Sequence, residues 1–179
     1  MRGAMKTVTA VAAFLLAAIV GAAQSVVAPE VPVDLSVPAG EKVFIHAHAK
    51  GVQIYSCSAG ADGKYAWVLK APKAELFDEQ GKVIGEHFAG PTWRLKDGSE
   101  VIGKMVAKHD APKAGAIPWL LATVTGHKGM GALEVVTTIQ RVNTEGGMAD
   151  PAKTCDASKS ETEIESAYSA DYYFYAPKR

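Results

Sequence analysis

Little in this chain advertises a reaction or a macromolecular partner. It has no basic tract and no basic residues interleaved with aromatics, so neither nucleic acid nor an anionic membrane surface is expected to bind. No Gly-x-Gly-x-x-Gly follows a strand and no βαβ periodicity occurs, so nothing supports a dinucleotide-binding fold. A Gly-x-Ser-x-Gly elbow is also missing. Glu75 and Asp78 face no obvious partner carboxylate, so nothing points to glycoside hydrolysis. No segment of length carries a helical period, and internal repeats and low-complexity tracts are absent. Cysteine is scarce, at two residues far apart.

What is present begins with an export-like N-terminus. Arg2 and Lys6 precede an apolar run of thirteen, Val8 to Val20, and then Gly21-Ala22-Ala23. The run falls short of the roughly 20 residues that a spanning helix needs. Residues 1–23 therefore read as a signal peptide, with Ser25 as a second cleavage choice and an uncleaved anchor as the alternative. A periplasmic or secreted protein follows, free of the membrane once cleaved. About 155 residues remain, with 17 basic and 19 acidic side chains and a formal charge of −2. That length suits one domain with a core of its own. In an exported chain the pair Cys57 and Cys155 reads as a disulfide. Closing a loop of about 99 residues, it would be worth roughly 4.7 kcal/mol in the chain-entropy view. Two free thiols and a two-thiol metal site are the competing readings.

Residues 24–40 hold Pro29, Pro32 and Pro38 and predict an extended arm. From Glu41 the pattern has period two, with Val43, Ile45 and Ala47 on one face and Phe44, His46 and His48 on the other. Lys50-Gly51 interrupts it and Val52 to Cys57 resumes. Asp62-Gly63 and Asp97-Gly98 are hairpin signals, Pro72 is a strand stop, and Gly90-Pro91 is a break after Val83 to Phe88. Val101 to Lys108, Ile117 to Val124, Leu133 to Gln140 and Tyr168 to Tyr175 are further strands. Glycine inside the first of these suggests a bulge or close packing, and the last carries aromatics on both faces. Ser160 and Glu163, spaced as a capping box, predict a short helical turn near the C-terminus. The fold class is all-β: nine or ten short strands in an antiparallel meander over residues 41–179, closed as a barrel or folded as a sandwich.

Several side chains suit a site. His46 and His48 lie roughly 7 Å apart on one strand face, half a zinc or copper site that His87 would complete if the sheet brings it near. A polar outer face shared with Lys42 and Lys50 is the simpler explanation of both, and no metal is assigned. His87, at a strand end before Gly90-Pro91 and Trp93, is a donor, an acceptor or a general base. In the last role it needs Ser56, Ser99 or Thr92 as nucleophile. A backbone hydrogen bond at the turn is its structural explanation. Trp93 and Trp119 follow proline-marked turns and suit either a pocket or the core, whereas Trp67 belongs to the core. Arg141, flanked by Gln140 and Asn143, continues a core face to a strand end; it either pairs with a buried acid or anchors an anionic ligand at a barrel mouth.

Four strings in order carry a resemblance: Gly51 to Cys57, His87 to Trp93 with Asp97-Gly98-Ser99, Ile117 to Leu120, and Ile139 to Gly147 ahead of Cys155. Together they resemble the exported bacterial and fungal family known as domain of unknown function 3455, over about Ala39 to Tyr175. The resemblance implies an extracytoplasmic single domain with Cys57 and Cys155 at the family's paired positions. It carries no activity, cofactor or catalytic residue. The expected function is that of a β-domain binding a small molecule or envelope glycan without catalysis, at His87, Trp93, Trp119, Gln140, Arg141 and Asn143, with no cofactor. The alternatives are a hydrolytic or metal-dependent enzyme using His87 with His46 and His48, and a structural envelope protein.

Overall fold

The computed structural model describes residues 26–178, so the signal-peptide expectation for 1–23 lies outside the described residues. Eight strands follow one another: β1 (Glu41–Ala59), β2 (Tyr65–Phe77), β3 (Val83–Phe88), β4 (Thr92–Leu95), β5 (Glu100–His109), β6 (Trp119–Lys128), β7 (Thr138–Gly146) and β8 (Glu163–Pro177). Each pairs antiparallel with its sequence neighbours, and β1 also pairs with β8, so the single sheet closes on itself as a barrel. Closure leaves no main strand edge to protect. Helix among the described residues is confined to three one-turn 3-10 segments, Val33–Leu35, Ala132–Val135 and Ala157–Lys159. The last stands earlier than Ser160 and Glu163 predict. Asp156 is its cap, accepting from the Ser158 N–H, and Glu163 already opens β8.

The strands are fewer and longer than the pattern predicts, because two apparent breakers sit inside them. Gly51 continues β1 since β2 passes too close for a side chain: a Cβ there would lie 2.1 Å from the Lys73 carbonyl oxygen. Pro72 continues β2 opposite Gln53, beside a bulge at Ile54/Tyr55, a setting in which a strand tolerates proline. In the other direction, Leu133 to Thr137 is not strand. A 3-10 turn occupies Ala132–Val135, and the β7 ladder begins at Thr138.

Alternation sorts the side chains into two layers. Leu76, Trp93, Ile139, Tyr172 and Phe174 fill the barrel, and small Ala47 on β1 makes room opposite Tyr172. Gly103 on β5 backs the Trp93 ring, where a Cβ would meet it at 2.9 Å; a fully buried ring such as Phe174 contributes about 1.5–3 kcal/mol. A bulge at Phe44 switches faces, so Val43 packs outside with Tyr175 while Ile45 packs inside with Phe174. The outward Tyr173 and Tyr175 are covered by the arm through Val31 and Val37, and the arm's own Leu35 is fully buried. Trp67 is not core: it is half-buried at the surface and its indole N–H donates to Lys153 O.

The two barrel ends are finished differently. At one, the Asp97 carboxylate accepts from Ser99 N, Ser99 Oγ and Ala132 N, and Ser99 Oγ accepts from Leu133 N. These bonds fasten the 132–135 turn so that Leu133, fully buried, closes that end. At the other end the Cys57–Cys155 disulfide ties the end of β1 to the β7–β8 connection.

Candidate functional site

The stretch from His87 to Trp93 is a tight hairpin. His87 on β3 stands directly opposite Trp93 on β4, with Gly90 at φ 86° in the turn between them. Both side chains point into the barrel. Their rings stack at 4.3 Å and 10°, and Tyr172 meets the imidazole edge-on at 5.2 Å. His87 Nδ1 lies 2.9 Å from Thr92 O. A carbonyl only accepts, so Nδ1 carries the proton and Nε2 is the ring's acceptor. Burial drives the His87 pKa down to about 3, with Arg141 adding to the depression and the Thr92 bond opposing it. The ring is a neutral imidazole.

These groups line a cavity of about 260 Å³ to which all eight strands contribute, among them Gln53, Pro72, His87, Trp93, Arg141 and Tyr172. A cavity built from every strand is the barrel interior itself, opening at the end opposite Leu133. Its wall is largely aromatic and aliphatic, yet donors face it without partners. Gln53 Nε2, Trp93 Nε1 and the Tyr172 hydroxyl are buried and form no hydrogen bond within the protein. Leaving such groups unmet costs roughly 1–3 kcal/mol each, so water or a ligand must satisfy them. Arg141 stands inward opposite Tyr172 on β8, its Nε and Nη2 donating to Pro118 O at 3.3 and 2.7 Å. Among the described residues it forms no ion pair.

The other anticipated residues lie elsewhere. Gln140 faces out beneath the arm, donating to Leu35 O and accepting from the Tyr175 hydroxyl. Trp119 packs with the arm cluster of Val31, Val37 and Val142. Asn143, at φ 51°, donates to Asp171 Oδ2 on the outer face. Of the three nucleophiles considered for His87, Thr92 Oγ1 is turned to Ala89 O and Ser99 Oγ to Asp97 at the opposite end. Ser56 points away from the face shared by Gln53, Tyr55 and Cys57. Gln53 and Tyr172 were not anticipated. The signal for Tyr172 was its place two residues from Phe174 on an aromatic strand; Gln53, a polar residue in an apolar alternation, gave a weaker one.

The sheet separates His87 from His46 and His48, which lie on the outer face of β1. Their ring centroids are 4.7 Å apart, and His46 stacks on Tyr173 at 4.3 Å. Two carboxylates reach them. Asp171 stands across β8 from His48 and accepts from its Nδ1 at 2.6 Å; Glu79, in the β2–β3 turn, accepts from His46 Nδ1 at 2.5 Å. Burial lowers the His46 pKa, but the Asp171 and Glu79 carboxylates outweigh it and the net shift is upward. Burial likewise opposes ionisation of Asp171, yet His46, Asn143 and His48 hold its pKa down to about 2.

Comparison with curated proteins and with solved structures returns no match. The family model described as "Protein of unknown function (DUF3455)" matches residues 38–176, from the end of the arm to the last turn of the barrel ladder. The chain belongs to the DUF3455 family.

Proposed function

We propose that this protein is an extracytoplasmic barrel that binds one small organic molecule in its interior, without turning it over. The carrying observation is the set of unpartnered donors on Gln53, Trp93 and Tyr172 facing one largely apolar cavity beside Arg141. Such a wall complements a flat or branched apolar body bearing an anionic or acceptor-rich group, with Arg141 as the cationic anchor. The cavity volume, just under the usual range for ligand pockets, favours a single ring or short chain over a glycan polymer. The N-terminal pattern and the disulfide support an oxidising compartment. Binding is favoured over turnover because no hydroxyl or thiol among the described residues hydrogen-bonds the His87 ring, so no side-chain nucleophile stands ready for it to activate.

The test is a thermal-shift and calorimetry screen of small aromatic and aliphatic carboxylates. At least one should stabilise the wild type, with affinity lost in Arg141→Ala and weakened in Gln53→Leu. Ligands that stabilise all three proteins equally, or none at all in the screen, would sink the reading in favour of a structural envelope protein.

A further inference from the structure

The outer-face cluster of His46, His48, Glu79 and Asp171 lies across the barrel wall from the cavity and plays no part in the function proposed above. Three strands and one turn deliver it. His46 and His48 are alternate residues of β1 and so share a face. Asp171 is placed by the β1–β8 register opposite His48, and its second oxygen is held by the Asn143 amide from β7. Glu79 is placed by its turn, which Asp78 locks by accepting from the Gln80 and Lys82 N–H groups. Nitrogen and oxygen atoms of His46, His48 and Glu79 lie within 4.8 Å of one another, and Asp171 Oδ1 lies 2.6 Å from His48 Nδ1 and 3.7 Å from His46 Nε2. No lysine or arginine among the described residues pairs with either carboxylate.

One atom is held only loosely by these ion pairs. The His46 side chain is only 8% exposed, yet its Nε2 is buried with no hydrogen-bond partner. Asp171 Oδ1, 3.7 Å away, lies beyond hydrogen-bond reach, so this buried nitrogen is better met by something that binds there. His48 and Glu79, by contrast, are 43% and 53% exposed, so the cluster is open on one side to the shallow groove that also holds Asn143 and Glu145.

From this arrangement we infer that His46, His48, Glu79 and Asp171 form a binding site for one borderline divalent transition ion of the zinc class. Two imidazoles with carboxylates suit such an ion; Mg²⁺ and Ca²⁺ prefer all-oxygen sets, and a soft Cu⁺ ion prefers sulfur, which is absent here. The buried His46 supplies the fixed ligand, the exposed His48 and Glu79 close on the ion from the solvent side, and Asn143 orients Asp171 from behind.

The experiment uses the tag-free mature protein, stripped with EDTA, dialysed and titrated with zinc chloride by calorimetry. One zinc per chain is expected, with affinity at least about tenfold weaker in His48→Ala and in Glu79→Gln, both exposed positions, and unchanged in His109→Ala. Near-ultraviolet circular dichroism of the same samples reports folding. X-ray absorption of the zinc-loaded wild type should show two imidazole ligands, a readout that needs no variant. Absence of binding at equimolar zinc, variants that bind like the wild type, or a spectrum with fewer than two imidazoles would each overturn the assignment.

Discussion

His87 and His46 each lie flat on an aromatic ring at 4.3 Å, one inside the barrel on Trp93 and one outside on Tyr173. Their proton affinities nonetheless move in opposite directions. Stacking is thus not what decides the charge. Burial and the charges within reach decide it: full burial, helped by a nearby guanidinium and only opposed by the Thr92 carbonyl, leaves His87 neutral, whereas at His46 two carboxylates outweigh burial and raise the pKa. One wall of one sheet therefore separates an apolar, donor-rich chamber from an anionic, imidazole-bearing patch.

The strongest way to break the comparison is to remove the inner platform. Trp93→Ala should cost about 3–5 kcal/mol in chemical denaturation, because the buried ring packs on Gly103, His87 and Tyr172 and its removal enlarges the interior cavity. Next comes pH, with EDTA present throughout. His87 has a folded pKa of about 3 against an unfolded value of 6.5, so the unfolded chain binds the extra proton. Stability should fall by about 1.4 kcal/mol per unit as pH drops below 6.5, and His87→Gln should flatten that slope. His46 works the other way: its folded pKa is raised, so its contribution is complete below 6.5 and is lost as pH climbs through the folded value. The two together place a stability maximum near pH 6.5; a wild-type profile flat from pH 4 to 8 would contradict both assignments. The smallest effect is Glu79→Gln, which should lower the His46 pKa in an NMR titration while costing no more than about 1 kcal/mol, since Glu79 is exposed.

Much of the inner chamber was readable from local pattern. Period-two alternation placed Ile139 and Arg141 on one face, and Gly90-Pro91 turned His87 toward Trp93. What local pattern cannot supply is which strands meet. Glu79 and Asp171 stand 33 and 125 positions from His46, and only barrel closure brings Asp171 beside it. The Phe44 bulge hid the change of face between Val43 and Ile45, because a single inserted residue leaves no compositional mark. Gly51 and Pro72 looked like stops for a related reason. A close-passing strand makes the glycine a necessity, and an adjacent bulge makes the proline tolerable; neither neighbour is visible from the residues alone.

The β1–β8 ladder runs from Ser56↔Glu163 to Glu41↔Pro177, joining segments more than a hundred residues apart. Contacts of that span make folding slow, since the chain must find its own far end before any reward arrives. Cys57 and Cys155 change the search. Once they are joined, Glu163 starts eight residues from the crosslink and next to its partner Ser56, so the seam can zip from that end toward Pro177. A Cys57→Ser/Cys155→Ser chain should close its barrel more slowly in stopped-flow fluorescence, through late arrival of the seam around Tyr173 and Tyr175.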